Sequence, residues 1–414
     1  MTSFSIQNFG CRTNQAEAFS WADEFQQAGL EYERDFRQSD LVLVNTCTLT
    51  SRADRDVRKF IRKVSRLNPE AKLIVTGCSV EKMSKELKAI PQVWRLFLNC
   101  EKKDIAEKVL SSLDSREEAQ VFPFRARALL KIQDGCNFQC TFCVIPLVRG
   151  KSVSIEREEI LAKIKNYIGR GFAEIVLTGI HLCSYGQDLR PRTTFISLLR
   201  EIEKLEGLGK LRLSSLDPRY LNRPLLEYLV RSEKICDHFH LSLQHGSDRV
   251  LERMGRRMKV KDYERILTYL RKNCPSASLG ADIIVGFPGE SEQDFKLTFD
   301  FLEKSALTYF HVFSYSPRPE TIASGWAQIE EKIKAERATL LRRLSAEKNL
   351  SFRMLFEGKV MEAIVVEKEN GRAKVLTSNY LKVFVPYCSE SEGEKVRVKI
   401  SQVRPSATLG QIAG

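Results

Sequence analysis

Between Ser3 and about Leu113, short runs rich in β-branched residues alternate with longer segments whose apolar positions recur at helical spacing. SFSIQNF, LVLVNT and LIVTG have strand character, whereas QAEAFSWADEFQQAG, RADRDVRKFIRKVSR and EKMSKELKA follow the helical period. Such alternation predicts a parallel sheet covered by helices. The stretch 114–124 is charged, ends in a Pro-containing run and reads as a linker. A second βα series follows, with strands expected at ALLKIQ, AEIVLTG, KLRLSSL, HFHLSLQ, SLGADIIVGF and YFHVFSY and helical patterns between them, as at 156–170. A complete parallel barrel has eight βα units, so six predict a partial, open (βα)6 barrel, closed by a helical stretch over 330–349. Beyond Phe352 the pattern changes to short alternating strands, GKVMEAIVVEKE, RAKVLTSNYLKVFVP and EKVRVKISQV, which predict a small all-β barrel. The expected class is α/β, in three domains at 1–115, 122–350 and 352–410.

A chain of 414 residues with 43% hydrophobic content has material for two or three cores. No apolar run approaches the roughly 18 residues of a membrane helix, and the opening residues lack the features of a secretory signal. The expectation is a cytoplasmic protein without membrane contact. The net charge of +13 favours phosphate-polymer partners, although a basic, solvated enzyme surface is an equally plain reading of charge alone. The eleven cysteines, in a large chain of this kind, point to metal binding or catalysis rather than to disulfides.

Cys136, Cys140 and Cys143 lie within one tight loop just after the first expected barrel strand. Three thiolates so spaced can hold three irons of a 4Fe-4S cluster and leave one iron open to a ligand. A structural zinc site needs four ligands, commonly as two separated pairs, and this loop supplies three. A second set, Cys11, Cys47 and Cys78, follows three expected strands of the N-terminal sheet. In a parallel sheet the carboxyl ends lie along one edge, so these thiols are expected to converge on a second cluster site. Buried packing is the alternative for any one of them. Cys100, Cys183, Cys236, Cys274 and Cys388 share no spacing and are assigned to packing.

The two triads, together with KIQDGCNFQCTFCVIPLVRG, LSSLDP, HLSLQHGSDRVLERM, ADIIVGFPGE and YSPRPET, resemble the radical S-adenosylmethionine (SAM) methylthiotransferase family over nearly the whole chain. Asn45 to Thr50, Gln133 to Asn137 and His240 to Gln244 look most like the members acting on threonylcarbamoyladenosine in tRNA, immediately 3′ of the anticodon. Glu320 stands where the family usually has Gly, and His245 where this subgroup often has Ser. The His is more reminiscent of the branch that modifies a ribosomal protein; isopentenyladenosine in tRNA is the other alternative substrate.

The resemblance implies an auxiliary 4Fe-4S cluster in the N-terminal domain, a radical SAM 4Fe-4S cluster in the middle domain, and an RNA-binding TRAM domain at the C-terminus. It also implies an electron donor such as flavodoxin or ferredoxin, and a monomer. Activation of an aromatic C–H bond then rests on SAM, cleaved to methionine and a 5′-deoxyadenosyl radical, while the auxiliary cluster delivers sulfur and a second SAM the methyl group. By the same resemblance, Phe142 is a candidate for contact with the SAM adenine, with loop packing as the alternative. Thr178 and Gly179 match the site of methionine amino contacts, or form a plain turn. Ser214, Ser215 and Asp217 end the third barrel strand and Gln244 the fourth, where they line the open face or cap helices. The glycines of Gly286 to Glu290 suit close approach of SAM or a simple turn. Arg55, Lys59, Arg62 and Arg66 fall on one helix face as candidate RNA contacts, or as a solvated stripe.

Overall fold

A computed structural model describes residues 2–113 and 126–413; the linker expected at 114–124 lies outside them. The N-terminal sheet has five parallel strands: β1 (Ser3–Asn8), β2 (Glu31–Tyr32), β3 (Leu41–Thr46), β4 (Lys72–Gly77) and β5 (Val93–Phe97). Their spatial order is β2-β1-β3-β4-β5. β3, at the centre, is buried at every position, as a strand covered on both faces must be. β2, β5 and the short helix Ile105–Leu110 are additions to the expected elements. β2 is two residues long and β5 is largely half-buried, so neither carries a clear period.

The middle region places β6 (Ala128–Asp134), β8 (Glu174–Gly179) and β9 (Lys210–Leu213) in one parallel set. A second set holds β10 (His238–His240), β11 (Ser278–Val285) and β12 (Tyr309–Ser314). Parallel bridges Leu211↔Ile235 and Leu216↔Leu241 join the two sets into one curved wall. β7 (Val153–Ser154) pairs antiparallel with the outer edge of β6. All six expected strands are present, and one apolar core runs behind them.

That core also takes in Ala16 and Phe19 of the helix Arg12–Gln27. Phe19 meets Tyr167 edge-on at 5.8 Å. The helix is thus packed between the N-terminal sheet and the partial barrel, with both Phe19 and Trp21 buried, one toward each core. The C-terminal strands β13 (Val360–Glu369), β14 (Arg372–Thr377), β15 (Lys382–Val385), β16 (Lys395–Val403) and β17 (Thr408–Ile412) close a barrel in the order β13-β14-β15-β17-β16. The helix expected to end at 349 runs on as Glu331–Met354. Its Phe352 enters the terminal barrel's core beside Phe356, so this helix belongs to both units.

Candidate active site

Cys11, Cys47 and Cys78 follow β1, β3 and β4, which are adjacent in the sheet. Register aligns Asn8 with Asn45 and Thr46 with Gly77, so the three strand ends are level. Gly10, at φ +99°, lets Cys47 approach: a Cβ there would stand 2.7 Å from the Cys47 Sγ. Asn14 fastens the loops by donating to the carbonyls of Phe9 (2.8 Å) and Thr46 (2.9 Å). Burial pushes the Cys47 thiol up to about 12, with Cys11 and Cys78 near enough to add to the shift. Burial also raises Cys78, against the pull of Arg149.

The second triad sits in the loop after β6. Gly135 (φ +65°) is required there, since a Cβ would fall 2.0 Å from the Lys151 carbonyl. Cys136 N–H donates to Gly150 O (3.1 Å), and Thr141 N–H to Met254 O (3.1 Å). Phe138 N–H points at the Cys136 Sγ (3.5 Å). Burial pushes Cys143 up to about 12, and Cys140 and Cys136 lie close enough to contribute. Each triad therefore gathers three free thiols that a polynuclear iron centre would hold as thiolates. Three sulfur donors per site, each set fixed by glycine turns, fit an iron–sulfur cluster with one open iron.

Both triads reach one cavity of about 690 Å³. Cys11 and Cys47 line it from the N-terminal domain, Phe142 and Cys143 from the loop after β6, and Ser214 and Gln244 from the barrel mouth. Ser214 Oγ is buried without a partner, a polar atom left for a ligand. Gln244 holds φ +81°, rare outside glycine, while its backbone ties to Asp282 O and Ile284 N. Phe142 lines the cavity and also packs edge-on to Phe287. Thr178 is fully buried with its hydroxyl unpartnered, and Gly179 packs on Gln133; neither is among the residues lining this cavity.

The run Gly286 to Glu290 closes on itself: Glu290 accepts from the Gly286 and Phe287 N–H groups. Gly286 (φ +70°) is needed because Lys334 packs where its Cβ would be, so the turn reading accounts for this glycine. Asp217 is engaged by His181, Arg219 and Arg256. Burial works to raise its carboxyl, but these donors hold it well below the usual range. Ser215 pairs with His240 Nδ1 at 3.0 Å.

Two ionic networks escaped the sequence reading. Arg149, its side chain 1% exposed, donates to Cys78 Sγ (3.2 Å), Glu17 (3.0 Å) and Asp134 (2.8 Å). Glu17 also receives Lys102 (2.6 Å) and Lys131 (2.9 Å). Burial works against the Glu17 charge, and the surrounding cations overcome it, keeping the carboxyl well below its ordinary range. On the other side, Arg318 of the YSPRPET run donates to Asp54 and, at 2.8 Å, to Thr48 in the loop after Cys47. Residue order gives no hint of these pairs, since Glu17 and Arg149 lie 132 positions apart. The quoted motifs VIPLVRG and YSPRPET nevertheless contain both arginines.

A radical SAM superfamily model matches residues 130–302, which span the second triad and five of the six parallel barrel strands. A model described as uncharacterized protein family UPF0004 matches residues 3–99. Threonylcarbamoyladenosine tRNA methylthiotransferase MtaB of Aquifex aeolicus is 37% identical over 397 residues, covering 92% of this chain and 95% of that protein. The chain belongs to this family of radical SAM methylthiotransferases. MtaB of Bacillus subtilis is 35% identical, covering 97% of this chain and 94% of the relative. The family's architecture extends to a solved radical SAM methyltransferase, TsrM from Kitasatospora setae with cobalamin and a [4Fe-4S] cluster bound, at TM-score 0.55 and 15% identity. That structure covers 78% of this chain and 77% of its own, and at that identity the likeness is one of fold. No helix among the described residues is long and apolar enough to cross a membrane.

Proposed function

We propose that this enzyme methylthiolates carbon 2 of N6-threonylcarbamoyladenosine immediately 3′ of the tRNA anticodon. The supporting observation is that thiols of both triads open onto one cavity. Cys136, Cys140 and Cys143 would hold the cluster that binds SAM, and Cys11, Cys47 and Cys78 the auxiliary cluster. When bound, these groups supply reductive SAM cleavage and the sulfur that is transferred.

The chain's own part is placement. The Gly10 and Gly135 turns present the sulfurs, Asn14 and Arg149 fix the first set, and the Gly150 and Met254 carbonyls fix the second. Ser214 and Gln244 are offered for polar contacts to SAM, with Phe142 beside its adenine. Thr178 and Gly179 would act from behind the strand end. The domain division proposed is 1–115, 122–350 and 352–410, with the last the RNA-binding unit. The location proposed is the cytoplasm, the enzyme acting as a monomer with a flavodoxin- or ferredoxin-class electron donor.

The test is anaerobic reconstitution followed by nucleoside mass spectrometry of a threonylcarbamoyladenosine-containing anticodon stem-loop. Replacing Cys136, Cys140 and Cys143 together by Ala should leave about four of roughly eight irons and abolish SAM cleavage. Replacing Cys11, Cys47 and Cys78 should likewise leave about four irons, keep SAM cleavage and end methylthiolation. Methylthiolated product from the second variant would overturn the sulfur-delivery role.

A further inference from the structure

One end of the cavity has a character that the thiols do not explain. Tyr380 and Lys382 reach it from the C-terminal barrel, Arg12 from the N-terminal helix, and His238, His240 and Tyr309 from the middle strands. His238 stacks on Tyr380, with centroids 4.2 Å apart and planes 13° from parallel, and its Nε2 meets the Tyr309 hydroxyl at 2.8 Å. The planes of His238 and Tyr309 are 9° apart, so the three rings run near-parallel. Arg12 donates to the Tyr380 hydroxyl, its guanidinium 5.8 Å from the ring centre.

The charges here are unbalanced. Among the described residues neither Arg12 nor Lys382 has a carboxylate partner. Arg212, also on the cavity, is committed to Glu174 at 2.7 and 2.8 Å and to the Ser378 carbonyl. Among the described residues the single carboxylate on the cavity lining, Asp282, lies 3.3 Å from His311 Nδ1 and 3.5 Å from His240 Nε2. Burial pushes the Tyr380 phenol up, yet Arg12, Arg127, Lys382 and Arg212 together pull it below its ordinary value. His238 is pushed well below its ordinary value by burial and then by the same arginines. The arginines act in the same direction on both rings, although burial is the larger cause for His238. A half-buried guanidinium and an exposed ammonium beside near-parallel aromatic rings form a receptor for an anionic oxygen group attached to a planar one.

We propose that Arg12 and Lys382 hold the free carboxylate of the threonylcarbamoyl substituent, with the cavity-lining rings of Tyr380, His238 and Tyr309 beside its planar urea. This rests on the substrate reading above and names the residues that select the substituent. The substituent carries a free threonine carboxylate; an isopentenyl group carries no charge for this corner to meet. The same two cations could instead meet an RNA phosphate, and the experiment separates the two sources.

Two anticodon stem-loops are compared with the reconstituted full-length enzyme. One bears threonylcarbamoyladenosine, and the other bears the same nucleoside with its carboxyl converted to the neutral primary amide. The quantity read is the ratio of kcat/KM for acid over amide, in which any general damage to a variant cancels. The wild-type enzyme should prefer the acid; Arg12→Gln and Lys382→Gln should each cut that ratio roughly tenfold, the worth of one charge-assisted hydrogen bond. Lys382→Arg, which keeps the charge, should retain most of the ratio. Lys399→Gln, an exposed lysine of the same barrel that does not line the cavity, should not move it.

If the Gln variants weaken turnover of both RNAs equally, the cations meet phosphate and the proposal fails. It also fails if Lys399→Gln lowers the ratio as much as Lys382→Gln. A wild-type enzyme that methylthiolates neither RNA would instead remove the substrate reading. One that turns over both RNAs without preference would leave that reading standing and remove only this subsite.

Discussion

Replacement of Arg149 by Met tests whether the buried ionic network locks the two cysteine-bearing units together. The guanidinium spans Cys78, Glu17, Asp134 and Asn14, and the Glu17 carboxylate is itself 2% exposed. Breaking a buried ion pair by removing one partner typically costs 3–5 kcal/mol, because the remaining charge is left without compensation. Here Glu17 keeps Lys102 at 2.6 Å, and both Glu17 and Asp134 keep Lys131 at 2.9 Å. The expected loss therefore lies at the low end, about 3 kcal/mol. For units of 150–250 residues this is a fall of about 6–12 °C in the melting temperature.

Arg149→Lys should fall between wild type and Arg149→Met, since an ammonium keeps the charge but cannot bridge four partners at once. Melting of the cluster-free protein, followed by circular dichroism under reducing anaerobic conditions, gives the comparison. A shift below about 2 °C for Arg149→Met would refute the reasoning and place this network among the buried ion clusters that are energetically neutral. In reconstituted protein the same variant removes an N–H donor from the Cys78 sulfur, so the auxiliary cluster's potential should become more negative.

The remaining expectations are briefer. Arg55, Lys59, Arg62 and Arg66 are all exposed on the helix Ser51–Leu67 and, among the described residues, carry no ion pair; changing all four to Gln should flatten the salt dependence of tRNA affinity, by up to about 0.7–0.9 in log–log slope per lost phosphate contact. An unchanged slope in filter binding would return the stripe to solvent. Glu174, whose carboxyl is opposed by burial but brought down to about 2 from 4.5 by Arg212 and Arg127, stabilises the fold above the higher value and loses that contribution as pH falls from about 4.5 toward 2. The stability gap between wild type and Glu174→Gln in urea unfolding should therefore shrink by about 3 kcal/mol across that window, and a pH-independent gap would contradict it. Glu320 sits at φ +70° with only an exposed contact to Lys82 at 3.4 Å, so Glu320→Gly should raise stability by about 0.5–1 kcal/mol, and a destabilised variant would show that this contact outweighs the backbone strain.

The strands at both thiol triads were legible because a buried parallel strand is a dense apolar run, and LVLVNT or EIVLTG admits few other readings. The N-terminal triad followed from position, since cysteines after level strand ends converge, and the second triad from its spacing within one loop. Helix Arg12–Gln27 was legible as a helix but not as a shared one. Its buried positions go round the cylinder, and only the packed structure shows Phe19 facing one core and Trp21 another. The corner at Arg12, Tyr380 and Lys382 was not legible at all. Its residues come from three units more than 200 positions apart at the extremes, and each alone is an ordinary arginine, tyrosine or lysine. Glu320 is an intermediate case: the residue was recognised as unusual for its place, and the positive φ supplies the physical reason a glycine would suit it.

The two arginine networks bear on how both thiol sites are held toward one substrate base. Both donors, Arg149 and Arg318, belong to the middle region, and both grip the N-terminal triad: one at Cys78, the other at Thr48 and Asp54 just beyond Cys47. Ser316 adds a third tie, its hydroxyl accepting from Ser51 N–H at 3.2 Å. The edge of the N-terminal sheet is thus positioned by the barrel it faces as well as by its own packing. A transfer that requires two centres to meet one base tolerates little error, because a misplacement of about 1 Å can cost a hundredfold in rate. Loop hydrogen bonds within a single domain cannot supply that constraint across a domain boundary. Charged groups buried at the boundary can, since opening it would take Arg149 and Lys131 from Glu17 and Arg318 from Asp54. On this argument the placement of the two thiol sets is held by the boundary, and a variant that loosens it should lose methylthiolation before it loses SAM cleavage.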